Sequence, residues 1–324
     1  MANIEASIEG PVESVTANGP GVVIRTMDVA VHFTPGQTAT GLPKTIESPA
    51  TELTVAQLLD PTSFPGRPES GFEGGTIIAE GSFDTDSNVF HADAIAIEPA
   101  ESVLLGAVTE NSAGPPRVLR INGTEVEMLT DPRMPANPDN PAQPIYFNEF
   151  GFQIKVESIQ ESPTGPTPDP PPAPSAAEGY FADGKFYAFL FEYGGPGELV
   201  VDPTTTPQVS MERASYRDRG TQFEVEARGF ATSSHAPAGT LQNIEVFRVD
   251  VDPATGDEVE TPLDQADVED VAPGFQRWRA RIRENKGGGL LAGVPELIRV
   301  KNHSGITPDG LPAREQDTPD IRED

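Results

Sequence analysis

The chain contains no cysteine. That excludes disulfides, zinc–thiolate sites, cysteine-attached haem and thiolate nucleophiles. Basic residues are scarce: 22 Lys and Arg stand against 51 Asp and Glu, a formal net charge of −29. A charge of that sign repels phosphate backbones, so nucleic acid is not an expected partner. It suits solubility, cation binding or contact with a basic surface; a solvated acidic surface is the ordinary reading. No apolar run is long enough to cross a bilayer as a helix, so membrane insertion is not expected. The opening, MANIEASIEGPVESV, has neither a basic n-region nor an apolar h-region, so no signal peptide is visible.

Catalytic signatures are missing as well. There is no H-E-x-x-H, no G-x-S-x-G and no P-loop. The histidines, His32, His91, His235 and His303, share no metal-ligand spacing. Gly194-Gly195-Pro196-Gly197 and Gly287-Gly288-Gly289 lack the strand-to-helix context of a phosphate cradle. Among 51 acids no pair is marked out as a glycosidase dyad. The expectation is a protein that is not an enzyme and has no cofactor other than Ca²⁺ at two acidic turns.

What the chain does have is punctuation and repetition. Its 34 prolines and 31 glycines fall between short apolar runs, which reads as many turns. Residues 79–98, AEGSFDTDSNVFHADAIAIE, and 177–192, AEGYFADGKFYAFLFE, share Ala-Glu-Gly-x-Phe, a polar turn and an aromatic-rich strand. Gly81 and Gly179 lie 179 − 81 = 98 residues apart, a period that marks a duplicated domain rather than a solenoid rung. From opening glycine to closing glycine the first copy spans 71 residues (10 to 81) and the second 73 (106 to 179).

The first copy reads as three strands, a short helix at 52–59 and a closing hairpin. That is the order of a five-stranded OB-type barrel. In the second, Asn122-Gly123 between apolar runs predicts a type I′ hairpin. Its helix slot, 146–156, reads as strand. Two proline-rich segments are inserted, 131–144 and 162–175; the second, SPTGPTPDPPPAPS, predicts a stiff, protruding polyproline loop. Beyond 207, strands with alternating apolar residues predict an Ig-like β-sandwich. The expected fold is all-β. Residues 1–100 and 101–193 form OB-like barrels, 194–207 a linker, 208–306 an Ig-like sandwich and 307–324 a frayed acidic tail.

The opening Gly-x-Val (Gly10, Val12; Gly106, Val108) and the late Glu-Gly-x-Phe hairpin resemble the small barrel repeats of uncharacterised secreted bacterial proteins. Residues 209–304 resemble bacterial Ig-like surface modules. Ala214-Ser215-Tyr216-Arg217 and Arg299-Val300-Lys301-Asn302-His303-Ser304-Gly305 carry that likeness. The resemblance implies an extracellular or cell-surface, non-catalytic role.

Four features remain as candidate sites. Asp84, Asp86 and Asn88 have the alternating oxygen donors that open Ca²⁺ loops, but lack the later Gly and Glu, and Asp, Ser and Asn belong at a hairpin tip anyway. Asp250, Asp252, Asp257 and Glu258 form a second acidic turn of the same ambiguity. Arg277, Arg279, Arg281 and Arg283 alternate along one strand, with Arg299 further on; they suit an acidic neighbour or the chain's own Glu224 and Glu226. Ile4, Ala6 and Ile8 alternate ahead of the first barrel. They are either its first strand or a donor strand for a second copy, with 275–283 as acceptor. Asn122 and Asn302 match the glycosylation sequon. The expected role is that of a self-assembling subunit of an extracellular filament, matrix or surface layer. A virion decoration or tail component, or a carbohydrate-binding module, is the alternative.

Overall fold

The computed structural model describes residues 3–38, 43–49, 51–137, 140–162, 173–252, 255–286, 289–291 and 293–323. Most of the second predicted proline loop (163–172), Gly287 and Gly288, and residues 253 and 254 of the second acidic turn lie outside them. Two compact units are present, Met1–Tyr146 with Val156–Gly195, and Phe147–Lys155 with Pro196–Asp324.

The first unit holds both barrels. In the first, the leading strand is broken at Val12-Glu13 into β1 (Asn3–Pro11) and β2 (Ser14–Asn18). β3 (Gly21–Thr26) and β4 (Val29–Phe33) follow, then β5 (Thr45–Ser48), β6 (Thr51–Glu52) and helix α1 (Val55–Leu58). β7 (Thr76–Asp84) and β8 (Val89–Glu98) complete it. β1 pairs with β7, β7 with β8, β8 in parallel with β4, β4 with β3 and β3 with β2. The broken first strand thus reaches both ends of the sheet and closes it into a ring, the OB arrangement. Alternate residues point inward, so Val22, Ile24, Val31, Phe33, Ile77, Ala79, Phe90 and Ala92 are buried. α1 starts where a capping box forms: the Thr54 hydroxyl accepts from Gln57 N (3.2 Å) and Gln57 Oε1 accepts from Thr54 N (2.9 Å).

The second barrel repeats the order with β9 (Ser102–Ser112), β10 (Val118–Ile121) and β11 (Thr124–Met128). Asn122 and Gly123 take φ of 48° and 82° between β10 and β11, as a type I′ turn requires. A ribbon of β12 (Ala136–Asn137) and β13 (Asn140–Pro144) comes next, then β14 (Tyr146–Asn148) and β15 (Gln153–Ile154). β16 (Pro174–Ala182) and β17 (Lys185–Tyr193) are the closing hairpin. β16 pairs with β9 and β17, and β17 pairs in parallel with β11. Each barrel therefore has a parallel contact between its third and fifth strands, and in the first β5 also pairs in parallel with β8.

Residues 147–155, expected in the second barrel, belong to the second unit. Their aromatic side chains explain this: Phe150 stacks on Phe275 (4.6 Å between ring centroids) and contacts Phe230 (5.0 Å). Ser210 Oγ donates to Phe150 O (2.7 Å), and buried Asn148 accepts from Phe150 N (3.1 Å) and Phe152 N (2.9 Å). Nor are residues 194–207 only connecting chain: Lys155 N donates to Glu198 O (2.8 Å) and Val200 N to Gln153 O (3.0 Å).

The rest of the second unit is a sandwich of β18 (Val209–Asp218), β19 (Gln222–Thr232), β20 (Ile244–Val251), β21 (Glu258–Gln265), β22 (Asp267–Ala272), β23 (Phe275–Asn285), β24 (Leu297–Ile306), β25 (Pro312–Asp317) and β26 (Asp320–Glu323). One sheet runs β22-β23-β19-β18-β26 and the other β21-β20-β24-β25, an Ig-like order. Trp278 is fully buried between them and donates its indole N–H to Ser210 O (3.1 Å) and Phe230 O (3.2 Å).

The charged tail is not frayed. β25 pairs with β24, and β26 pairs in parallel with β18. Ala313 supplies a buried residue, and edge strands tolerate the surrounding charges, which also discourage pairing with other chains.

Candidate functional site

The outer face of the β22-β23-β19-β18 sheet carries successive rows of charged residues. Register sets its rows. Arg213 lies opposite Arg228, Arg228 opposite Arg279, and Asp267 beyond. The next rows are Ser215–Glu226–Arg281 and Arg217–Glu224–Arg283. At the far side Arg277 lies opposite Phe230 and Glu269.

Glu224 is the centre of this face. Its carboxylate is wholly buried and accepts from Arg281 Nε (3.0 Å), Arg219 Nη2 (3.0 Å) and Arg283 Nε, with Arg217 Nη1 at 3.5 Å. Burial alone pushes its pKa up; the hydrogen bonds from Arg281, Arg283 and Arg219 outweigh that and hold it down at about 2. Arg279 pairs with Glu226 (2.7 Å), Arg277 with Glu269 (2.9 Å from Nε) and Arg228 with Glu212 (2.7 Å). Among the described residues Arg213 has no such acid: its buried Nε and Nη2 have no hydrogen-bond partner there.

The predicted arginine stripe is thus real as a row of side chains, and the chain's own Glu224 and Glu226 take up part of its charge. Arg299 does not join it. It lies on the other sheet, bonded to Glu260 (2.6 Å) and Glu258 (2.9 Å). The strand 275–283 is also a poor acceptor for a donor strand, because over 275–279 it is already flanked by β19 and β22. Ile4, Ala6 and Ile8 are not a free donor either: they pair with Phe83, Gly81 and Ala79 in their own barrel.

The acidic turns are held by protein groups. Asp84 accepts from Asp86 N (3.0 Å) and Ser87 Oγ (2.7 Å); these bonds hold its pKa below the usual carboxylate range. Asn88 sits at φ 56° and donates to Asp28 O (3.3 Å). Asp250 pairs with Arg248 (2.5 Å) and Glu258 with Arg299, while Asp252 N donates to Asp257 O (2.9 Å). Among the described residues no group of three or more His, Asp or Glu is placed to hold a metal ion. The sequon asparagine Asn302 is buried and donates to Gln242 Oε1 (3.0 Å), so it is closed to modification in the folded chain. Asn122 instead accepts from Ala107 N (3.1 Å) at its turn.

Two relationships had no local sequence signal. His32 and His91 are partners on the parallel β4–β8 pair, with ring centroids 6.0 Å apart. Burial, then the charges of His91 and Arg25, lowers the pKa of His32. Arg133, inside the predicted proline-rich insertion, is buried in the first unit. It donates to Asp60 O (3.1 Å), Thr62 O (2.8 Å) and Asp131 (2.7 Å), and lies 4.1 Å over the Phe64 ring. Tyr180 adds a bond to Pro65 O (2.8 Å).

These modules define an all-β protein of two closed barrels and an Ig-like sandwich. Compared with protein-family models, with curated proteins and with solved structures, the chain matches none.

Proposed function

We propose that this protein is a non-catalytic structural subunit that assembles with copies of itself, outside the cell or at its surface. The observation that carries this reading is the joint between the barrels. A buried arginine over the Phe64 ring, its carbonyl acceptors, and Tyr180, stacked on Tyr187 and bonded to Pro65 O, fuse the duplicated modules into one compact unit. Burying a charge costs several kcal/mol unless every donor is matched, and the matching here fixes how the barrels meet. A fixed spacer suits a building block. The resemblance to secreted barrel repeats and Ig-like surface modules supports the location. Assembly in this reading uses side-chain surfaces, because β1 is paired within the chain and β23 is flanked on both sides over 275–279. Negative-stain microscopy of the purified chain tests it. Fibres or sheets are expected; monodisperse particles that bind glycans would favour a carbohydrate-binding module instead.

A further inference from the structure

We propose that the arginine face around Arg213, Arg228 and Arg279 is a docking surface for the acidic barrel unit of a second copy of this chain. The proposal rests on the self-assembling reading above and names the surfaces involved.

Three observations lead to it. First, the face is built against its own stability. Arg213, Arg228 and Arg279 lie side by side on three adjacent strands, and like charges directly opposite one another destabilise a sheet. Among the described residues Arg213 has no acid of its own, and two of its nitrogens are buried without an acceptor. A carboxylate from outside would not reach those two nitrogens, but set against the accessible part of this half-buried guanidinium it would offset the unmatched charge.

Second, at the middle of the face the acid lies beneath its arginine. Glu226 is 16% exposed against 55% for its partner Arg279, whereas the flanking Glu212 and Glu269 (45% and 60%) are as exposed as Arg228 and Arg277 (41% and 54%). At Arg279 the group that meets solvent is therefore guanidinium, on a chain whose net charge is −29. Guanidinium forks bind carboxylates in bidentate fashion.

Third, the complementary surface is present in the same chain. The barrel unit, Met1–Tyr146 with Val156–Gly195, has 7 basic and 26 acidic residues, 7 − 26 = −19. Contact between the arginine face of one copy and the barrel unit of another relieves repulsion on both. Such a contact joins two different surfaces, so it repeats from copy to copy.

The test is sedimentation velocity on the full chain at about 20 mM and about 0.5 M salt, where exposed charges are respectively felt and screened. Self-association at low salt that reverses at high salt is expected. Arg213→Gln is the deciding variant. It should raise Tm, by relieving like-charge crowding, and yet weaken self-association at least about tenfold. Arg228→Glu should weaken association with the fold intact by circular dichroism. Assemblies indifferent to salt and to both variants would overturn the docking surface and leave the self-assembling reading standing. A monomer under every condition would sink that reading itself. Salt-sensitive binding to immobilised heparin by a chain that stays monomeric would replace the second copy with a polyanion.

Discussion

Gly81 and Gly179 occupy the same β-bulge in successive barrels. Each follows a glutamate where the register of the closing hairpin shifts. A Cβ on Gly81 would lie 2.1 Å from His91 O, and one on Gly179 1.8 Å from Tyr187 O. Backbone cannot yield as a side-chain tip does. Alanine at either position should therefore cost about 1–3 kcal/mol, read as a lower denaturant midpoint at unchanged slope. Gly114→Ala meets nothing closer than 3.7 Å and should be neutral. Equal effects at all three positions would refute the steric account.

Glu224 should dominate the acid stability of the sandwich. Its folded-state pKa of about 2 lies below the ordinary 4.5. The carboxylate's contribution is whole above about 4.5 and is lost as pH falls through the folded value. Glu224→Gln should flatten that acid limb. At neutral pH it should cost about 2–3 kcal/mol, less than for a fully buried pair because the guanidiniums are part exposed. Thermal melts between pH 2 and pH 5, about the range of the two pKa values, check this; an unchanged pH slope in the variant would count against it.

Arg133→Met should unfold one unit ahead of the other. It strips the partners from the carbonyls of Asp60 and Thr62 and from Asp131, at a cost of about 3 kcal/mol. The chain has one tryptophan, Trp278, buried in the sandwich. Its fluorescence should melt at the native midpoint while far-ultraviolet circular dichroism shows an earlier transition. Coincident shifts in both probes would mean that the effect is not confined to the barrels.

Millimolar Ca²⁺ should leave Tm unchanged. Asp250 is paired with Arg248 and Glu258 with Arg299, and Asp84 is held by Ser87. A cation bound only by the folded state would raise Tm by mass action. A Ca²⁺-dependent rise abolished by Asp252→Ala would establish a site at that turn.

The modules were legible because their signals are local. Period-2 alternation marked β4, β19 and β23, the Asn122-Gly123 turn marked a hairpin, and the repeated Ala-Glu-Gly-x-Phe marked both closing hairpins. What escaped depends on register between distant segments. Glu224 reads as one of two acids that could face the arginine stripe; only the pairing of β19 with β18 and β23 gathers four arginines around that one carboxylate. His32 and His91 meet only because β4 runs parallel to β8. Arg133 was hidden among prolines that suggested an exposed insertion. The charged tail looked frayed because an edge strand needs few apolar residues.

Arg133 sits in the connection between the third and fourth strands of its barrel, and its acceptors Asp60 and Thr62 sit in the corresponding connection of the first. Gln57 of α1 likewise donates to Pro132 O (3.3 Å). A contact made by the same element from both copies uses up that element on each, as in a two-fold dimer. The barrel pair is thus self-limiting at this contact: on each copy, the connection that would grip another barrel in the same way is already occupied.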